Sequence, residues 1–317
     1  MTATRASFGA HARVLVTGAF GFIGGALVQR LLQEEVEVHA IHRHTAPSAS
    51  GDAVWHACDL EDELAVQRLI ERVQPEALFH LASRVSGARD REAVLPTLRA
   101  NLLSAVNVLT AATAHGCRRI VLTGSMEEPA PTSAWPVPSS PYAAAKLAAS
   151  AYGRMFHLLY AAPVVTLRLF MVYGPGQRDG KKLIPYTILS FLNGEAPRLM
   201  SGGRMVDWVY VDDVVEGYVR AATMAGVDGK TIDIASGTQV AVRDVVERLG
   251  RLIDPAIRPQ FGVVPDRAGE QEPVADLAPA ASLLDWTPRT PLDTGLARTV
   301  EWYRAHAQSA AVAVNER

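Results

Sequence analysis

The stretch VLVTGAFGFIGGALVQRLL, residues 14–32, constrains the fold of this chain more than any other. It opens with an apolar run typical of a buried strand, and from Phe22 onward its apolar spacing is helical. Gly18, Gly21 and Gly24 suit a tight turn, close approach of the backbone to a pyrophosphate, and tight packing of helix on strand. Because a helix start attracts anions, this context predicts a dinucleotide-binding turn rather than a plain glycine turn.

Strand-like and helical segments alternate along the chain after this unit. Strands are predicted over 36–43, 54–59, 77–83, 118–125 and 164–170, and helices over 62–73, 92–115 and 142–160. Helices of this length between strands imply right-handed crossovers and a parallel sheet covered on both faces. The sequence therefore predicts an α/β fold with a doubly wound parallel sheet of the Rossmann type.

The remainder of the chain mixes strand-like segments with short helices and proline-rich connections. We predict a dinucleotide-binding domain made of residues 12–172 plus 206–241. A smaller C-terminal substrate-binding domain, made of 173–205 plus 242–317, is predicted to be interleaved with it.

Composition argues against several other classes of protein. Charged residues make up 20% of the 317 residues and the net charge is -2, which favours neither nucleic acid nor an acidic membrane as partner. Cys58 and Cys117 have no metal-ligand spacing, so no metal is predicted and a reduced, cytoplasmic setting fits. The sequence has no apolar run of about 18 residues, so it predicts no membrane span.

Tyr142 and Lys146 carry the chemistry that the sequence suggests. In a helix this spacing puts the phenol and the ammonium on one face, and the cation is expected to lower the tyrosine pKa. Ser125 ends a predicted strand and can hydrogen-bond a reacting oxygen. The alternative, a surface tyrosine and a solvated lysine, is less favoured here because both follow a dinucleotide turn.

The end of the second strand bears on the choice of cofactor. It reads AIHRH, so His42 stands near the position where an acidic residue would bind the adenosine ribose, and Arg43 follows it. Arginine pairs well with phosphate, so NADP(H) is favoured over NAD(H). The alternative is a basic loop without a ligand.

Several motifs together resemble the extended short-chain dehydrogenase/reductase family of nucleotide-sugar epimerases, dehydratases and ketoreductases. They are VTGAFGFIG, CDL at 58–60, HLAS at 80–83, Asn101, YAAAK at 142–146, LRLFMVYGPGQ and WVYVDDV, and the resemblance covers about residues 13–305. It implies a seven-stranded nucleotide domain, a smaller sugar-nucleotide domain and a catalytic trio of Ser125, Tyr142 and Lys146.

The resemblance also implies which residues contact the cofactor. Asp59 and Leu60 match positions that meet the adenine, Lys146 would contact the nicotinamide ribose, and Asn101 supports the helix near the site. With the turn and the end of the second strand, the predicted set is Gly18, Phe20, Gly21, Phe22, Ile23, Gly24, His42, Arg43, Asp59, Leu60, Leu81, Ala82, Ser83, Asn101, Tyr142 and Lys146.

The chain departs from the family pattern after the catalytic serine and after the sixth strand. Dehydratases of the family use an Asp-Glu pair, and here Met126 replaces the Asp and leaves Glu127 alone, which disfavours dehydration. Met171 stands where an Asn normally contacts substrate. Glu127 and Met171 are retained as candidate substrate-binding residues, although a solvated loop carboxylate and simple apolar packing are the alternatives.

Two arginines are candidates for binding a substrate diphosphate. The family places one Arg directly before an Asp, but Val206 stands there, and Arg204 could substitute from two residues away on the same strand face. Arg267 matches the second phosphate-binding Arg of the family.

The leading hypothesis is an NADPH-dependent reduction of a nucleoside-diphosphate-linked keto sugar, of the 4-keto-6-deoxyhexose 4-ketoreductase type. The main alternative is a nucleotide-sugar 4-epimerase with tightly held NAD. Reduction of a small ketone and a non-catalytic redox sensor are further alternatives. Long helices over 92–115 and 141–160, which often pair across a dimer in the family, predict a homodimer.

Overall fold

A computed structural model describes residues 8–9, 11–43, 52–129, 137–267, 269–270 and 272–315, the last nine of these by their backbone only. The elements in chain order are β1 (Arg13–Thr17), α1 (Phe22–Leu31), β2 (Glu37–His42), β3 (Val54–Ala57), α2 (Glu63–Val73), β4 (Ala77–His80), α3 (Val94–Leu98), α4 (Ser104–Ala114), β5 (Arg119–Ser125), α5 (Pro141–Tyr160), β6 (Val164–Leu169), β7 (Met171–Tyr173), α6 (Leu183–Leu192), β8 (Met205–Tyr210), α7 (Val211–Thr223), β9 (Thr231–Ile234), β10 (Gln239–Ala241), α8 (Val242–Ile253), α9 (Ala278–Leu284) and α10 (Leu292–Asn315).

Seven parallel strands form the main sheet in the order β3-β2-β1-β4-β5-β6-β9. The central strands are largely apolar, and Leu15, Leu78 and Ile120 are fully buried. Strand order reverses between β1 and β4, which makes their carboxyl ends the switch point where ligands bind in such sheets. The predicted doubly wound α/β class is confirmed.

Local sequence signals explain where the helices begin. The Asp62 side chain accepts the N–H of Ala65 at 3.0 Å and caps α2.

The helix predicted over 92–115 is not one continuous α-helix. It is built from a 3-10 turn at Arg91–Ala93, α3, a π-helical turn at Arg99–Leu103 and α4. By length and composition this run, 91–114, could cross a membrane, and 44% of its most apolar stretch is buried inside the protein.

A second unit has its own three-stranded sheet, in the order β10-β8-β7. The chain divides into one unit of residues up to 169, 215–234 and 276–286, and another of 170–214, 235–275 and 287 onward. The predicted boundaries need correction because β8 pairs with β7 and β10 rather than joining the main sheet. Residues 276–286 return to the first unit, where α9 lies against β9.

His80 is buried at the end of β4 and hydrogen-bonds across to β1. Its Nδ1 lies 3.0 Å from the Oγ1 of Thr17, and the residue is 4% exposed. Burial, with a smaller effect from Lys146, lowers the pKa of His80 to about 3.

We expect acid to destabilise the fold through His80. Below the ordinary histidine pKa of 6.5 the unfolded chain binds a proton here and the folded protein does not. The unfolding free energy should therefore fall by about 1.4 kcal/mol per pH unit from this residue. Urea unfolding between about pH 7 and pH 5 measures the slope. His80→Asn keeps a group that can bond to Thr17 and should show a shallower slope, and an unchanged slope would refute the assignment.

Candidate active site

The glycine turn between β1 and α1 is built almost entirely from backbone. Gly18 has a φ of +66°, and a Cβ there would lie 2.7 Å from the Ala82 nitrogen. A Cβ on Gly24 would overlap the Gly18 carbonyl oxygen. Gly21, the N-cap of α1, donates its N–H to Gly18 O at 2.9 Å. Glycine at these positions therefore lets the turn pack closely against the loop after β4 and against the first turn of α1.

Thr17 ties the ends of β1 and β4 together beside this turn. Its Oγ1 accepts the backbone N–H of Leu81 and of Ala82, each at 3.1 Å. These bonds hold two of the predicted cofactor residues next to Gly18. The sequence analysis missed both Thr17 and its partner His80, although a threonine that ends a strand directly before a glycine turn was the available signal.

Asp59 and Leu60 follow β3, as the motif at 58–60 predicts. Asp59 Oδ1 accepts the N–H of Glu61 at 3.0 Å, and Leu60 is 8% exposed. The Leu60 carbonyl accepts a hydrogen bond of 2.9 Å from Asn107 Nδ2. This loop is therefore held in place, and its contact with an adenine stays a prediction.

Carboxylates surround the arginine at the end of β2. Arg43 Nη2 lies 3.2 Å from Glu61 Oε1, and its Nε lies 3.9 Å from Asp59 Oδ1. His42 packs edge-to-face against Phe20 with ring centroids 5.4 Å apart. The two acids neutralise the guanidinium and repel a 2'-phosphate, so the basic strand end does not support the expected preference for NADP(H).

The first turn of α5 positions Tyr142. Ser140 Oγ accepts the N–H of Ala143 at 3.1 Å, and Pro141 opens the helix, as the sequence suggests. Lys146 lies one turn further along the helix, and its Nζ is 5.9 Å from the centroid of the Tyr142 ring.

Three elements converge on the phenol of Tyr142. Ser125, at the end of β5, and Ser83, after β4, both act on it and lower its pKa against the larger effect of burial. Lys146 Nζ donates to the carbonyl of Thr123, two residues before Ser125, at 2.9 Å. The structure thus brings the predicted trio Ser125, Tyr142 and Lys146 together.

The protonation of this trio differs from the sequence expectation. Burial raises the pKa of Tyr142 to about 12; Ser125 opposes this effect, and Glu128 and Glu127 add to it. Lys146 was expected to lower the phenol pKa below its usual value, and this expectation is wrong for the net direction, because burial dominates. Burial also lowers the pKa of Lys146 to about 8. At neutral pH the phenol is therefore protonated, and Lys146 is mostly charged.

Asn101 links the loop after β4 to the π-helical turn. It is 2% exposed, and its Oδ1 accepts the Ser83 hydroxyl at 3.2 Å and the Arg84 N–H at 2.6 Å. Its Nδ2 donates back to the Arg84 carbonyl at 3.1 Å. Because Ser83 acts on Tyr142, Asn101 supports the phenol indirectly, through its hydrogen bond with Ser83.

The remaining predicted residues are spread over the two units. Phe22 and Ile23 form the first turn of α1, and Glu127 is part-buried just after β5. Met171 opens β7 in the second unit. Their contacts with cofactor or substrate stay predictions.

In the second unit, Arg204 and Arg267 meet at one carboxylate. Arg204 Nη1 lies 3.6 Å from one oxygen of Glu270, and Arg267 Nη1 lies 3.8 Å from the other. Two guanidinium groups gathered in this way form a cationic site that suits a diphosphate.

A sequence model of the NAD dependent epimerase/dehydratase family matches residues 14–235. The chain belongs to this family. The match includes the glycine turn and the whole Ser125, Tyr142 and Lys146 arrangement, so this epimerase/dehydratase is an enzyme of the extended short-chain dehydrogenase/reductase type.

Individual relatives resemble this epimerase/dehydratase along almost its whole length. UDP-glucose 4-epimerase of Mycolicibacterium smegmatis is 32% identical, with 93% of this chain and all of the relative covered. The structure of UDP-glucose 4-epimerase from Thermotoga maritima, solved with UDP-glucose, is 26% identical with a TM-score of 0.85, covering 93% of this chain and 99% of that one. MoeE5, solved with UDP-glucose and NAD, is 32% identical with a TM-score of 0.82, covering 93% and 100%.

We expect Gly24→Ala to destabilise the protein by about 2 to 3 kcal/mol, because the new methyl group meets the Gly18 carbonyl. Gly25→Ala is the matched control, since its nearest contact would be 3.5 Å from Ala19 O and alanine favours a helix. Urea unfolding of both variants measures the difference. Equal stabilities would contradict the assigned packing of the turn.

Proposed function

We propose that this epimerase/dehydratase is a UDP-sugar 4-epimerase that works with bound NAD. The observation that carries the proposal is the end-to-end similarity to a UDP-glucose 4-epimerase at 32% identity. It favours the 4-epimerase over the 4-ketoreductase that the sequence analysis put first. The basic end of β2 was the main argument against an NAD-dependent epimerase, and the pairing of Arg43 with Glu61 removes it.

The residues present fit a dinucleotide cofactor. The left-handed Gly18 makes the tight turn, and the overlap that a Cβ at Gly24 would cause shows that α1 packs closely on it; both features are typical of a dinucleotide-binding turn. Gly18, Gly21, Asp59 and Lys146 are among the residues that would hold NAD, which supplies reversible exchange of hydride with a sugar carbon. The acids beside Arg43 favour NAD over NADP.

Tyr142 is the proton carrier of the proposed reaction. In its phenolate form it takes the proton of the sugar hydroxyl when the carbon is oxidised, and the phenol formed in this way returns the same proton when the carbon is reduced. Ser125 acts on the phenol and can hydrogen-bond the same sugar oxygen. The positive charge of Lys146 favours the phenolate that must form during the reaction. No net oxidation of the sugar results, because the proton and the hydride both return.

A UDP-linked substrate needs a site for its diphosphate. Arg204 and Arg267 supply it in this proposal, since both are held near Glu270 and both can pair with phosphate oxygens. Glu127 and Met171 remain the candidates for contact with the sugar.

We propose a cytoplasmic location for the enzyme. Both Cys58 and Cys117 are buried and unpaired. Reduced thiols of this kind are usual in a reducing compartment.

The enzyme is also proposed to form a homodimer through α3 and α5. Leu95 and Leu98 are 61% and 42% exposed on α3, and Tyr152 and Leu159 are 40% and 63% exposed on α5. Large exposed apolar side chains on adjacent helices are typical of a surface covered by a partner. Light scattering should give a dimeric mass that Leu95→Asp reduces. A monomeric wild type would refute the proposal.

The purified protein should interconvert UDP-glucose and UDP-galactose without added reduced cofactor. Chromatography of the sugar nucleotides measures the reaction, and mass analysis of the supernatant after denaturation should identify NAD. Stoichiometric consumption of NADPH with a nucleotide-linked keto sugar, and no interconversion, would instead support the reductase.

Tyr142→Phe is the variant that tests the chemistry. It should lower kcat by about a hundred- to ten-thousand-fold, because the proton carrier is lost while the ring remains. Tyr160→Phe, at the end of the same helix and 57% exposed, is the control. Wild-type turnover in the Tyr142 variant would defeat the proposed mechanism.

A further inference from the structure

A buried carboxylate, that of Glu128, lies directly behind the catalytic serine and has no part in the chemistry described so far. Its Oε1 accepts the backbone N–H of Ser125 at 2.8 Å, and its own N–H donates to the Ser125 carbonyl at 3.0 Å. Ser150, on α5, also acts on the carboxylate and lowers its pKa against the effect of burial. Glu128 is only 7% exposed, so it connects the end of β5 to α5 inside the protein.

The strand leaves space for this carboxylate at Gly124. A Cβ on Gly124 would lie 2.8 Å from Glu128 Oε1 and 3.1 Å from Thr166 Cγ2. A glycine in the interior of a buried strand weakens the strand, so its presence calls for a reason such as close approach by another group. Here the approaching group is the carboxylate.

The charge of Glu128 is balanced from α5. Two cations act on the carboxylate, Lys146 and Arg168. Arg168 already donates to both oxygens of Asp233, at 2.6 and 2.8 Å. Lys146 is 4% exposed, and its ammonium donates to the carbonyl of Thr123, the residue before Gly124. The Glu128 carboxylate accepts the N–H of Ser125, the residue after Gly124.

The charged and titratable groups around this pair come from four elements. Glu128 raises the pKa of Lys146 against the effect of burial, and Lys146 in turn lowers the pKa of His80 on β4. Burial lowers the pKa of Lys146 and Glu128 opposes this, while burial raises the pKa of Glu128 and Lys146 opposes that. Each buried charge therefore helps the other to remain ionised.

We propose that Glu128 is a positioning residue of the active site, which holds the Ser125 backbone and supplies the counter-charge that keeps the Lys146 ammonium ionised. The inference rests on the proposed function only in taking Tyr142 and Lys146 as the catalytic pair. It explains how an ammonium can lie buried beneath the phenol at neutral pH.

The composition of the chain allows the charge of Lys146 to be measured directly. Its lysines are Lys146, Lys181, Lys182 and Lys230, so a protein labelled with ¹³C at lysine Cε gives a simple NMR spectrum. Lys146→Met identifies the Lys146 signal. In the wild type this signal should titrate with a pKa of about 8.

Glu128→Gln should lower this titration midpoint by about one pH unit. Glutamine keeps an oxygen that can accept the Ser125 N–H, so the variant removes the charge and retains the contact. Glu127→Gln is the matched control, because the neighbouring acid does not act on Lys146, and its midpoint should match the wild type. Glu128→Asp keeps the charge and should remain within about half a unit of the wild type. An unchanged midpoint in folded Glu128→Gln, or an equally low one in Glu128→Asp, would overturn the counter-charge role.

The activity provides a second readout. Because Glu128 does not touch substrate, Glu128→Gln should lower kcat near pH 7 with little change in KM. The loss should shrink above about pH 9, where Lys146 is neutral in both proteins. A loss independent of pH would reduce Glu128 to a structural role. If Tyr142→Phe turns over, only the proposed function fails. The NMR titration tests the role of Glu128 without any enzymatic reaction.

Discussion

The hydrogen bond from Lys146 Nζ to the Thr123 carbonyl joins α5 to the end of β5, and the active site depends on it. An ammonium in the interior is costly unless polar partners surround it, and here a carbonyl and the charge of Glu128 compensate the burial. With Lys146 fixed, the helix places Tyr142 one turn earlier against Ser125. This helix-to-strand contact thereby fixes Tyr142 and Lys146 relative to the strand that carries Ser125.

The carboxyl ends of β1 and β4 provide the other half of the site. The sheet order reverses between these strands, and ligands of open α/β sheets bind beside such a switch point. Thr17 fixes the loop after β4 through its hydroxyl, while the turn at Gly18 lies against that same loop. Buried polar groups at this edge hydrogen-bond to one another, which holds the two loops in place.

Acidic neighbours decide what the basic residues of this chain can do. In the sequence Arg43 resembles a ligand for the 2'-phosphate of a cofactor. In the structure Asp59 and Glu61 lie beside it and offset its charge. Arg204 and Arg267 are gathered by Glu270, which holds them together as a pair. At Arg43 two carboxylates face one guanidinium, whereas at Glu270 one carboxylate faces two guanidinium groups, so the balance of charge differs between the two places.

The sequence by itself determined the β1–turn–α1 unit, the Ser140 cap and the shared face of Tyr142 and Lys146. These features follow from helical and strand periods and from steric limits on glycine, which act over a few residues. Only the tertiary structure decided that β8 joins a second sheet, that acids neutralise Arg43, that the Tyr142 pKa rises and that Glu128 lies behind Ser125. Strand pairing, burial and charge balance depend on residues far apart in the chain, so no local pattern encodes them.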